Sequence, residues 1–264
     1  MTAVMHRGKK AAIRFKVRLA WIVTWAVRYT KHMHMRWHFS PRERVVASLG
    51  GLTAMSCGLF VFGVVTNHSL QFSYLVQNLF LAWVPLCITA LLLKSLRTHL
   101  WSSWRSLGLT LLWLIFLPNS FYMISDFVHI QDVPRHNLLY DVVMFTAFIF
   151  TAALVGFCSL YLVHVELRKR MSMQVSSGVI GTILLLCSFA IYLGRDLRWN
   201  SWDVLVNPAG ILFDVSDHFI HPLQHLDMFS MTCSFFVLLG SLYAVGWQLG
   251  EATHDTPYKL PNRV

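Results

Sequence analysis

Six apolar stretches, each about as long as a bilayer is thick, fix what this chain can become. They cover residues 45–66, 73–93, 107–126, 140–163, 177–194 and 228–249. A hydrocarbon core offers backbone N–H and C=O groups no water, so a run of about 20 apolar residues crosses it as a helix, which satisfies those groups internally. Composition agrees: 56% of residues are hydrophobic and 13% charged, whereas a soluble domain carries about 25% charged residues. The expected fold is all-α, a polytopic membrane bundle of about six transmembrane helices over residues 45–249. A basic N-terminal region (1–44) precedes it and a short tail (250–264) follows. The longest segment between stretches, about 195–227, is too short to build a core of its own.

Lysine and arginine orient the bundle. Eleven precede the first stretch, and the successive connections and tail then hold none, three, one, three, two and two. Heavy and light loops alternate, so the positive-inside rule places both termini in the cytoplasm. The net charge of +10 is then mostly a cytoplasmic skin. Within it, residues 11–29 (AAIRFKVRLAWIVTWAVRY) have an apolar core from Leu19 to Val27 that is too short to span, with Arg14 and Arg18 on one helical face. An interfacial helix on anionic lipid is expected there, at about 1 kcal/mol per basic residue. Lipid attraction explains the basic, Trp-containing region more simply than nucleic acid does. No small-residue cleavage site follows this run, which argues against a cleaved signal peptide. His32, His34 and His38 belong to the same skin. Cys57, Cys87, Cys158, Cys187 and Cys233 all fall within apolar stretches and read as small packing residues rather than a disulfide framework or thiolate metal site.

The acids gather on the opposite side. Eight of 12 lie in or at the edges of two connections: Asp126, Asp132 and Asp141, then Asp196, Asp203, Asp214, Asp217 and Asp227. His68, His129, His136, His218, His221 and His225 share that side. A membrane protein that collects ionisable groups on one face is expected to work at that face.

Spacing sharpens the candidates. In LPNSFYMISDFVHI, the residues Asn119, Tyr122, Asp126 and His129 follow at intervals of three, four and three, one face of a helix. Pro118 removes the hydrogen bond to the carbonyl of Leu114, so a kink is expected before the stripe. Asn119 and Tyr122 read as bonds between neighbouring helices. Asp126 and His129, a carboxylate and an imidazole three residues apart, can share a proton or a metal and are the catalytic candidates. Asp141, beside Tyr140 at the start of the fourth stretch, suits the positive end of a helix dipole.

The densest polar run, GRDLRWNSWDVLVNPAG (194–210), supplies the binding candidates Arg195, Arg198, Trp199, Asn200, Trp202 and Asp203. Arginine forks suit phosphate or carboxylate, and Trp rings favour headgroup level. The competing reading is internal pairing, with Arg195 or Arg198 locked to Asp196, Asp203 or Asp126. In DVSDHFIHPLQHLDMF, His218, His221 and His225 are spaced i, i+3, i+7, which a continuous helix would turn toward one metal ion. Pro222 disfavours helix at His221, so no metal is expected, and no cofactor is read from the sequence.

At these residues the chain resembles a known group. FLPNSFYMISDFVHI, the pair Tyr140–Asp141 and YLGRDLRWNSWDVLVNP are similar to segments of a family of bacterial multi-pass membrane proteins catalogued as a domain of unknown function, with an RWNSWD outer-loop motif. The likeness covers about residues 50–250. It implies a bacterial inner-membrane location and transfers no catalytic role.

Three functions fit this pattern. One is an enzyme acting on a lipid or envelope precursor, with Asp126 and His129 as acid/base groups and Arg195 and Arg198 holding an anionic headgroup. A second is a non-catalytic envelope or accessory protein. The third, a transporter, is disfavoured because no stretch carries an ionisable residue near its middle. The orientation is directly testable: in a cysteine-free variant, single cysteines at Ser69 and Asn137 should react with a membrane-impermeant thiol reagent from outside the cell, and one at Ser172 should not.

Overall fold

A computed structural model of the chain describes residues 41–67, 70–132, 138–199, 203–221 and 225–254. Among these residues every regular element is helical: α1 (Pro41–Asn67), α2 (Ser73–Ser95), α3 (Trp104–Phe116), α4 (Pro118–Tyr122), a 3₁₀ segment (Met123–Asp132), α5 (Leu138–Arg168), α6 (Met173–Arg195), α7 (Asp203–Val206), α8 (Pro208–Ile220) and α9 (Leu226–His254). Among the described residues six segments are long and apolar enough to cross a membrane: Glu43–Thr66, Ser73–Ser95, Trp104–Gln131, Leu138–Arg168, Met173–Arg195 and Leu226–Glu251. They coincide with the six stretches read from the sequence, each with a few more residues at its ends. The protein is a polytopic helical membrane bundle. It divides into two compact units, Met1–Ala47 and Ser48–Val264. Of the first, residues 41–47 are described, the opening turns of α1; the expected interfacial helix at 11–29 and the histidines 32, 34 and 38 lie outside the described residues, as does the tail from 255.

Helices α2 and α5 pack most extensively against each other; α5 also meets α4, α6 and the 3₁₀ segment, and α2 meets α3, α4 and the 3₁₀ segment. One apolar cluster joins α3, α4, α5, α6 and α9 through Trp113, Leu117, Phe121, Leu160, Ile191 and Leu239; a second joins α2, the 3₁₀ segment and α5 through Leu75, Leu79, Met123, Phe145 and Phe148. Lipid tails are as apolar as these side chains, so helix association in a bilayer relies on close fit and interhelical hydrogen bonds. Both are present: Thr89 and Ser159 hydroxyls lie 2.8 Å apart, the fully buried Trp113 donates to Ser159 Oγ at 2.8 Å, and Ser56 meets Thr151 at 3.2 Å. All five cysteines are free.

At Pro118, where a kink is expected, the α-helix is interrupted at one residue, Leu117, whose backbone stays in the right-handed helical region at φ −56° and ψ −40°. Helix α3 stops at Phe116, Pro118 opens α4 at its first helical position, and the rest of the span winds as a 3₁₀ helix. Proline suits that first position because its missing N–H would have no partner there. Ser120, on the new turn, donates to the carbonyl of Ala82 on α2 at 2.9 Å. On the other side α4 lies against Gly156 of α5, where a Cβ would stand 2.6 Å from Ser120 Cβ and 3.1 Å from the Phe121 ring. Gly156→Val should therefore cost about 1–3 kcal/mol through overpacking, read as a lower thermal midpoint in detergent. The control Gly178→Ala, which meets open space, should leave stability unchanged or raise it by about 0.5–1 kcal/mol.

Candidate functional site

Four elements surround a cavity of about 370 Å³. Helix α2 contributes Tyr74, Gln77, Asn78 and Leu81, one helical face; the broken third span contributes Ile115, Pro118, Asn119, Tyr122, Asp126 and His129; α6 contributes Ala190, Leu193, Gly194 and Arg195; Trp199 and Val204 close it from the following connection. The order of these residues along their helices grades the cavity. Ile115 and Asn119 stand near the middle of their span and Leu81 two turns into its own, whereas His129, Tyr74 and Arg195 stand at the ends. At 1.5 Å per residue, Tyr74 and Leu81 are about 10 Å apart along α2. The charged groups thus gather at the ends of the spans, and the deeper part of the cavity is lined by Leu81, Ile115 and Asn119.

Asp126 is the centre of the polar end. Its side chain is 2% exposed, and both oxygens are engaged: Arg195 Nη1 lies 3.3 Å from Oδ1, and Asn78 Nδ2 donates to Oδ2 at 3.1 Å. The other arm of the guanidinium, Nη2, donates to His129 Nε2 at 3.1 Å. Arginine only donates, so Nε2 of His129 is the acceptor of this bond. The Tyr74 ring meets the His129 ring edge-on at 5.3 Å. In a 3₁₀ helix residues three apart eclipse, which is why Asp126 and His129 present together to one arginine.

The connection after α6 folds back over this end. Trp199 N–H donates to the carbonyl of Leu193 at 3.2 Å, and the indole donates to Asp214 of α8 at 2.8 Å. Arg198 takes the turn in the left-handed region, at φ 58°, and is exposed.

Of the residues singled out from the sequence, Asp126, His129, Arg195 and Trp199 meet in one cavity, with Asn119 and Tyr122 on its wall. Asn119 bonds within its own turn, donating to Phe116 O at 3.1 Å. Arg195 adopts the internal pairing that the sequence left open, with Asp126. Arg198 does not line the cavity; Asp203 opens α7 and accepts the Asn207 N–H at its carbonyl, 2.8 Å away. Asn200 and Trp202 lie outside the described residues, as do His68 and His136. Beyond the cavity, His221 lies 3.1 Å and His225 3.5 Å from the Asp217 carboxylate, and the His225 ring stacks on His218 at 3.8 Å.

Tyr74, Gln77 and Asn78 were not singled out, although three polar residues at i, i+3, i+4 on the opening turns of an apolar stretch were a signal that one face of that helix meets polar partners.

Residues 77–241 match the family described as "Protein of unknown function (DUF1361)". No curated protein and no solved structure matches the chain.

Removing one partner of a buried pair leaves an uncompensated charge. Arg195→Gln should cost about 3–5 kcal/mol, and adding Asp126→Asn should recover part of that loss, a coupling measurable as a double-mutant cycle of thermal stability in detergent.

Proposed function

The chain belongs to the DUF1361 family, whose description assigns no function, and we propose that it is an enzyme of the bacterial cytoplasmic membrane that binds an anionic lipid or cell-envelope precursor in this cavity and acts on its headgroup. In this reading both termini are cytoplasmic and the cavity opens at the outer leaflet. The observation that carries it is a 370 Å³ cavity that joins a cluster of arginine, histidine and carboxylate at the ends of three spans to a deeper part lined by Leu81 and Ile115 beside Asn119, space that suits an acyl or prenyl chain joined to a charged head.

Arg195 has five N–H donors, and its bonds to Asp126 and His129 occupy two. An incoming phosphate or carboxylate takes the remaining fork positions and competes with His129 for Nη2. Drawn away from His129, the guanidinium frees Nε2 as a proton acceptor beside the headgroup, while Asp126 keeps the arginine in place. His129 is the base in this scheme and Arg195 the binding cation. Trp199, held by Asp214, closes the cavity over the head.

The full-length protein, purified in mild detergent, should carry a defined class of anionic amphiphile detectable by mass spectrometry. Ala190→Phe, which fills part of the cavity, and Arg195→Gln should each deplete it, whereas His129→Gln should retain the amphiphile but fail to convert it when supplied in vesicles. Equal lipid content in wild type and Ala190→Phe would remove the cavity as the binding site. Binding by the wild type with no change in the headgroup would remove the enzyme.

A further inference from the structure

The turn between α8 and α9 gathers metal-ligand chemistry that the cavity does not use. Asp217 and His218 lie in the last turn of α8, and His225 immediately precedes α9. One ligand atom from each, a carboxylate oxygen and two ring nitrogens, all fall within 4.8 Å of one another. His218 is 7% exposed, and its Nδ1 lies 2.7 Å from the carbonyl oxygen of Asp214. A carbonyl only accepts, so Nδ1 donates a proton to it and leaves Nε2, which meets the Tyr192 hydroxyl at 3.1 Å, as the nitrogen that can ligate. Backbone carbonyls fix the tautomer of metal-bound histidines in this way. His225 Nε2 is 3.5 Å from Asp217 Oδ2, while His221 Nδ1, 3.1 Å from Oδ1, holds the other carboxylate oxygen.

The sequence argued against a metal because the His221–Pro222 step would stop the helix that aligns three imidazoles. The helix does stop, at Ile220. Beyond it, His225 lies against His218, and His221 stands aside as a partner of the carboxylate. Two histidines and one aspartate therefore meet without a continuous helix.

We propose that Asp217, His218 and His225 bind one divalent transition-metal ion, zinc by preference, with His221 orienting the carboxylate. Two imidazoles and a carboxylate suit zinc, and the fourth position is left to water beside the Tyr192 hydroxyl, which lies 3.1 Å from His218 Nε2. The two rings, stacked with planes 27° apart, fan open on binding so that both nitrogens reach the ion. Tyr192 sits one helical turn before Arg195 on α6, so the ion pins the α8–α9 turn beside the cavity and steadies Asp214, the anchor of Trp199.

The test uses full-length protein in detergent, in a background with His32, His34 and His38 changed to Ala, stripped with chelator and titrated with Zn²⁺. Elemental analysis should give one zinc per chain, zinc should raise the thermal midpoint, and Co²⁺ should give the visible absorption of a tetrahedral site. His218→Gln and His225→Gln should each abolish all three signals while circular dichroism shows helicity retained, whereas His221→Gln should keep the stoichiometry and weaken affinity about tenfold. Wild-type protein without stoichiometric zinc overturns the proposal. Equally, full zinc content in the His218→Gln/His225→Gln double variant places the metal elsewhere and overturns it.

Discussion

A carboxylate with 2% of its side chain exposed, at the rim of a membrane bundle, is sustained only by a cation and further donors within hydrogen-bond reach. Asp126 has Arg195 on one oxygen and Asn78 on the other. These two bonds draw three separate helical spans to a single point. The break at Pro118 belongs to the same arrangement, since the 3₁₀ segment it introduces eclipses Asp126 and His129, and the two arms of Arg195 reach both. Loss of this contact would leave a buried charge and release α2, α6 and the third span from one another at the end where the cavity lies.

Glycines let the segments around Trp199 approach one another closely. A Cβ on Gly194 would stand 3.1 Å from the Tyr122 ring and 3.4 Å from the Trp199 carbonyl, and one on Gly210 would stand 2.9 Å from the Trp199 ring. The two glycines that bracket the run from 194 to 210 therefore both pack against Trp199, one at its backbone and one at its ring, and Asp214 fixes its indole. The lid over the polar end is a packed structure whose position depends on α6 and α8 together.

The two ends of the bundle solve their charge problem differently. At the end away from the cavity, Glu166 pairs with Lys169 at 2.5 Å and Arg170 at 2.6 Å, and Arg170 lies 5.3 Å over the Trp101 ring. Those ion pairs span three and four residues of the α5 terminus, and pairs of this kind contribute little individually. At the cavity end the partners are 48, 66 and 69 residues apart. Charges that must be matched across spans are buried more deeply and constrain the bundle more tightly, which is where a binding or catalytic centre needs its precision.

How much of this was legible beforehand follows from the range of each interaction. Bilayer thickness and backbone hydrogen bonding act along a single segment, so the six spans, the interruption at Pro118 and the stripe from Asn119 to His129 could be read from spacing alone. The identity of the cation facing Asp126 could not: Arg195 and Arg198 were equal candidates by composition, and the left-handed turn at Arg198 together with the docking of α6 selects Arg195. Asn78 was overlooked because its spacing marks a polar face without naming what it meets. Likewise the sequence located the helix stop before Pro222, but the return of His225 onto His218 depends on how α9 packs against α6. Local chemistry determined which segments cross the membrane and which residues carry charge; only the packing of distant helices decided which of those charges meet.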